Sequence, residues 1–136
     1  MKPEREYNYY GVFLMPSEKD RLFNEFWPIL KNPFLYGWRV LCDHCTLLHH
    51  THRNQNVKKY LDSIIGTPMR IKVKGVGISS KAIAAWVDTP SENTVSHITL
   101  AVAPGCSPKD SNEIEDWFEF NEDEFPVKFM GIVKKV

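Results

Sequence analysis

"CDHCTLLHH" (residues 42–50) and "SHITLAVAP" (residues 96–104) decide how this chain is read. Each holds a histidine, any residue, a threonine and then a leucine: His44-Cys45-Thr46-Leu47 and His97-Ile98-Thr99-Leu100. Both motifs lie in stretches with the two-residue alternation of a β-strand. Residues i and i+2 of a strand share a face, so His44 and Thr46 point one way, as do His97 and Thr99. Cys45 and Ile98 then point into an apolar layer behind. Two such strands brought side by side present two imidazoles and two hydroxyls to one cleft.

With five histidines and six threonines in 136 residues, about 0.2 such motifs are expected by chance. A third, His49-His50-Thr51, lacks the leucine and stands where the strand runs out, so it is set aside as a strand-end accident. The paired form suits phosphodiester chemistry. One histidine acts as general base on water or a ribose hydroxyl, the other as general acid on the departing oxygen. The threonine hydroxyls donate to the phosphate oxygens where charge develops. No metal or cofactor is required. The motif does not assign the two roles; His97 as base and His44 as acid is the order adopted.

Around the motifs, "YYGVFLMP" (9–16) reads as a buried first strand. A helix follows over 17–31, with Ser17 as N-cap and Pro28 kinking or ending it. The first motif belongs to a strand over 38–50. A second amphipathic helix spans 54–66, with Gly66 at its end. Strands are expected over 67–78, over 80–88 after a bend at Gly75 and Gly77, and over 94–104. A loop with a short acidic turn fills 105–120, and 127–136 is a last strand whose Lys134 and Lys135 protect an edge. Strands and helices in this order predict an α+β fold with antiparallel sheets.

The length fits a single domain over 1–136, with 1–8 a loosely ordered N-terminus. Net charge is zero, which argues against an extended nucleic-acid footprint but not against a nucleotide or RNA end in a pocket. The three cysteines, odd in number, read as reduced thiols. The N-terminus has no apolar signal core, and no apolar run approaches the ~20 residues that span a membrane. The expectation is a cytoplasmic or nuclear protein, monomeric and without membrane contact.

With those residues in view, the sequence resembles the two-histidine (2H) phosphoesterase superfamily, the LigT-like fold. Its signature is two H-x-[T/S] motifs on strands that line a cleft between two pseudo-symmetric α+β lobes, with helices outside. The resemblance implies that His44, Thr46, His97 and Thr99 are the catalytic residues. The segment "GCSPKDSNEIE" (105–115) is similar to a loop in the cyclic phosphodiesterase domain of fungal-type tRNA ligases, through Pro108, Asp110, Ser111 and Asn112. Ser107 stands where that loop would carry lysine, and the spacing of about fifty residues between motifs is short for the superfamily. The implied reaction is hydrolysis of a 2′,3′-cyclic phosphate on a nucleotide or RNA end, usually to a 2′-phosphate. Some relatives instead degrade 2′,5′-oligoadenylates or cyclic dinucleotide immune messengers, and compact viral members of that kind exist.

Secondary candidates for substrate contact are Tyr10, His49, Arg53, Trp86, Lys109 and Ser111, with Tyr9, Trp38 and Phe118 further rings for base stacking. Cys42, Cys45, His49 and His52 offer four donor residues for zinc. Positions 42 and 45 face opposite sides of a regular strand, so the expectation is no metal site. Two readings of another class remain beside the enzyme: a nucleotide- or RNA-binding module without turnover, and a small zinc-binding interaction domain.

Overall fold

A computed structural model describes residues 8–121 and 128–136. The expected loose N-terminus lies, except for Asn8, outside the described residues, as does most of the acidic loop before the last strand. Twelve elements follow in chain order: β1 (Tyr9–Leu14), α1 (Pro16–Glu25), α2 (Trp27–Leu35), β2 (Arg39–Val40), β3 (His44–His49), α3 (Gln55–Ser63), β4 (Pro68–Ile78), β5 (Ala82–Val87), β6 (His97–Val102), a 3-10 helix (Pro108–Glu113), β7 (Trp117–Glu119) and β8 (Lys128–Lys135). Among the described residues no helix is long and apolar enough to cross a membrane.

Every strand pairing among the described residues is antiparallel. Six strands close a ring in the order β1-β3-β6-β5-β4-β8, with β2 added beside β6 and β7 beside β4. This is the expected α+β architecture with antiparallel strands, but the barrel is not clearly divided into two lobes. The eleven-residue β4 runs through both halves of the ring. Its first half pairs with β8 and its second with β5 and β7. On the opposite side the halves meet at β3 and β6, through the single pair Cys45–Ile98.

Apolar side chains fill the ring and the space under the helices. Val12, Cys45, Ile71, Ile98, Leu100 and Val133 are wholly buried. Leu22, Phe26 and Leu30, at helical spacing, carry the buried face of the helical segment across the sheet.

The helix expected over 17–31 is two helices. Pro28 sits in the first turn of α2, where its missing N–H costs nothing, so it starts a helix rather than ending one. Ser17 is not the N-cap: Pro16 begins α1 and Met15 precedes it in extended conformation. Asn54 does cap α3, its side chain accepting from the N–H groups of Asn56 and Val57 at 3.0 and 3.2 Å. Gly75 and Gly77 lie inside β4 rather than at a bend. A Cβ on Gly75 would stand 2.1 Å from the Phe118 carbonyl oxygen, so the glycine lets β7 approach. Lys134 and Lys135 protect no edge, because β8 is central, between β1 and β4.

Candidate active site

The strand expected over 38–50 is interrupted, and the interruption builds the site. Leu41 and Cys42 donate backbone hydrogen bonds to Leu100 and Thr99 of β6, and then Cys45 pairs with Ile98. Three steps on one strand answer one step on the other, so two residues, Asp43 and His44, are extruded. Cys42 makes the turn with a φ of 50°, in the left-handed region that costs a non-glycine residue about 1–3 kcal/mol. Asp43 and His44 therefore drop out of pairing with β6 while staying on β1, where His44 faces Phe13 and the Asp43 carbonyl accepts from the Leu14 N–H.

Past Cys45, β3 loses β6 as a neighbour and gains the loop 88–96. The Ser91 hydroxyl donates to the Thr46 carbonyl at 2.7 Å, the Glu92 N–H donates to the Leu47 carbonyl at 3.0 Å, and the His49 N–H donates to the Glu92 carboxylate at 2.8 Å. A bulge against β1 also shifts the alternation, because Tyr10 faces Leu48 while Gly11 faces Thr46. Leu47 and Leu48 are both buried, and His49 returns to the side of His44 and Thr46.

A cleft of about 840 Å³ opens at this seam. His44, Thr46, His97 and Thr99 all line it. Tyr9, His49, His50 and Thr51 form one end, Glu92 and Asn93 come from the 88–96 loop, and Pro108, Lys109 and Asn112 come from the 3-10 helix.

The two motif imidazoles have different partners. His97 is 8% exposed, and its Nδ1 lies 2.8 Å from the Val95 carbonyl. A carbonyl only accepts, so Nδ1 carries the proton and Nε2 keeps its lone pair. Burial pushes this imidazole below its ordinary value; the Val95 hydrogen bond opposes the shift, and the nearby His44 adds to it. Trp117, its ring centroid 6.1 Å from that of His97, is part of the covering. His44 is more open, and its Nδ1 faces the Asp43 carboxylate at 3.0 Å. Asp43 is also paired with Lys19 at 3.0 Å. Burial pushes the Asp43 carboxyl up, but hydrogen bonds and charge from Lys19 and His44 outweigh it and leave it below the ordinary carboxylate range. The His44 ring stacks on Phe13 and Tyr9, with centroids 4.7 and 5.2 Å away.

Thr99 is held from behind. Its Oγ1 lies 2.8 Å from Oγ of Ser111, which is 1% exposed. The 3-10 helix that carries Ser111 is tied at its start by Asp110, whose carboxylate accepts from the Ser107 N–H at 2.9 Å. Ser111, expected as a substrate contact, instead meets Thr99 and is not among the residues that line the cleft.

Of the other secondary candidates, His49 and Lys109 reach the cleft. Tyr10 does not: it is buried in the core, and its hydroxyl donates to Asp62 at 2.6 Å. Its neighbour Tyr9, one strand position away, takes the place on the cleft wall. Trp86 lies opposite His97 in register, but its ring is occupied by the Lys74 ammonium at 4.9 Å and by the edge of Trp117, and it does not line the cleft. Arg53 is exposed beyond the cleft end.

The third motif, set aside from sequence, also lies in the cleft wall. His49 Nδ1 accepts from the Thr51 N–H at 3.4 Å and lies 3.0 Å from its hydroxyl. Its proton therefore sits on Nε2, the opposite tautomer to His97, which suits donation rather than proton abstraction. Cys42 and Cys45 are buried thiols, pushed by burial up to about 12 and about 11. Among the described residues no group of three or more His, Cys, Asp and Glu could hold a metal ion.

The fold has a solved counterpart. A crystal structure of a fungal RNA kinase superposes on 98% of this chain and 46% of its own, with a TM-score of 0.64 and 16% sequence identity. At that identity the likeness is one of fold. This chain spans less than half the length of that protein. No family model matches the sequence, and no curated protein matches it.

Asp43, Lys19, Glu92 and Asn93 carry no signal in the sequence motifs. Asp43 was the most legible of them, since it adjoins His44; the others reach the site only through chain reversals far from it.

Proposed function

We propose that this protein is a metal-independent 2H phosphodiesterase that hydrolyses 2′,3′-cyclic phosphates, on RNA ends or nucleotides, to 2′-phosphates. The observation that carries this reading is the unequal pair of imidazoles in one cleft, each with a threonine. His97, buried and holding its proton on Nδ1, offers Nε2 as a base. His44, facing a carboxylate, suits the acid, whose ring carries both protons before the reaction.

Water loses a proton to His97 Nε2 as its oxygen bonds to phosphorus. The bond from phosphorus to the ribose 3′-oxygen breaks, and that oxygen takes the proton from His44 Nε2. The phosphate stays on the 2′-oxygen. Thr46 and Thr99 donate to the non-bridging oxygens. Solvent then returns His97 and His44 to their starting states.

The ring supports a merged version of the two-lobed 2H architecture. Its halves share β4 on one side and touch through one pair on the other. The structural neighbour is by its name an RNA kinase, which fits an RNA substrate. Charge also bears on the substrate. Lys109 and Glu92 are the only formally charged residues on the described cleft wall. Lys109 and a doubly protonated His44 suit a single phosphodiester better than an oligoadenylate or cyclic dinucleotide with several phosphates.

Chromatography of products from a panel of 2′,3′-cyclic phosphates, 2′,5′-oligoadenylate and cyclic dinucleotides tests the proposal. A 2′-phosphate product is expected, unaffected by EDTA. His44→Ala and His97→Ala should each lose at least ~100-fold in turnover. Binding without any product would instead make this a non-catalytic module.

A further inference from the structure

We propose that Asp43, held by Lys19, is a positioning residue that fixes the tautomer and orientation of His44. The inference rests on the functional reading above only for its catalytic consequence; its structural content stands by itself.

Three observations converge on it. The left-handed turn at Cys42 takes Asp43 together with His44 out of the ladder with β6, while β1 keeps both in place. The Asp43 carboxylate then faces His44 Nδ1 at 3.0 Å and the Lys19 ammonium at 3.0 Å. Its backbone carbonyl accepts from the Leu14 N–H at 2.9 Å, which fixes the extruded segment to the end of β1. A carboxylate can only accept, so it selects the Nδ1–H form of His44 and leaves Nε2 for the cleft. It also offsets the positive charge of the doubly protonated ring that an acid requires. His97 has no such partner: its Nδ1 faces a neutral carbonyl. The two histidines are thereby made chemically unequal by their surroundings, although their motifs are alike.

Lys19 contributes as an anchor rather than as a source of stability. The pair it forms is about two-fifths exposed on both sides, and such pairs hold geometry without adding much free energy.

Replacing the carboxylate by an amide leaves size unchanged but lets an N–H face Nδ1, which favours the wrong tautomer. Asp43→Asn is therefore expected to lower kcat on adenosine 2′,3′-cyclic phosphate by about 10²-fold with KM within about twofold, and Asp43→Glu to recover at least a tenth of the wild-type rate. Lys19→Met should cost about threefold. Long-range ¹H–¹⁵N spectra of the unliganded protein at pH 7 supply the second readout. They should show His44 protonated on Nδ1 in the wild type, with mixed or reversed protonation in Asp43→Asn and Asp43→Ala. Unchanged His44 spectra in both variants, or a kcat in Asp43→Asn within twofold of wild type, would overturn the proposal. If the wild type hydrolyses no substrate of the panel, the phosphodiesterase reading fails while the spectra still decide the role of Asp43.

Discussion

Ser111 Oγ lies 2.8 Å from Thr99 Oγ1 and is buried behind it, on the side away from the cleft. A threonine hydroxyl that must donate toward phosphate is useful only if its rotamer is fixed, and Ser111 fixes it by donating to Thr99 Oγ1, which leaves the single threonine proton for the phosphate. Ser111→Ala should lower kcat/KM by about two- to tenfold, the range of one net hydrogen bond. Thr99→Ala should cost more, since it removes the donor itself. Steady-state kinetics on a cyclic phosphate measures both; a larger loss in Ser111→Ala than in Thr99→Ala would contradict this order.

The burial that lowers the His97 imidazole sets a pH limit. A base must be unprotonated, and a lowered value keeps it so to more acidic pH. The acid limb of kcat/KM should fall below pH ~6.5, the ordinary histidine value. Linkage has the same sign: the stability held by neutral His97 is complete above the unfolded value and is lost as pH falls through the folded one. An acid limb at or above pH ~6.5 would remove His97 as the base.

Gly75 admits β7 to the sheet. Because a Cβ there meets the Phe118 carbonyl at 2.1 Å, Gly75→Ala must push backbone, which does not yield as a flexible side chain would. Destabilisation of about 1–3 kcal/mol is expected in urea unfolding. A change below about 0.5 kcal/mol would mean that β7 moves aside freely.

Thr89 is 3% exposed, and its Oγ1 has no hydrogen-bond partner among the described residues. Removing a buried hydroxyl that satisfies nothing should not cost stability. Thr89→Val is expected to be neutral or to stabilise by up to about 1 kcal/mol. Thermal melts at fixed pH decide it, and a clear loss of stability would reveal a hydrogen bond at that hydroxyl.

How far the molecule could be read in advance depended on distance along the chain. His44 with Thr46, and His97 with Thr99, share their faces through two-residue periodicity, which local sequence carries. The α+β composition was legible for the same reason. Tyr9 and Tyr10 are both candidates from sequence and only Tyr9 lines the cleft, a one-residue phase that strand alternation cannot set without knowing which face is inside. The extrusion of Asp43 and His44 depends on the φ of Cys42, a residue type that gives no warning of a left-handed turn. His49 entered the cleft through a bulge whose partner is in β1. Ser111 looked like a loop hydroxyl because nothing local says that the 3-10 helix folds back over β6. Lys134 and Lys135 looked like edge protection, and only the pairing of β8 with both β1 and β4 shows otherwise.

That last pairing governs how the chain comes into being. β8 lies far from β1 along the chain, yet it closes the ring between that strand and the long β4. While the chain emerges from the ribosome, β1 and the first half of β4 wait with bare backbone edges. Such edges pair readily with other chains, and a contact between segments far apart in sequence forms slowly. Chains that lack β8 should therefore collect in aggregates rather than as half-folded monomers.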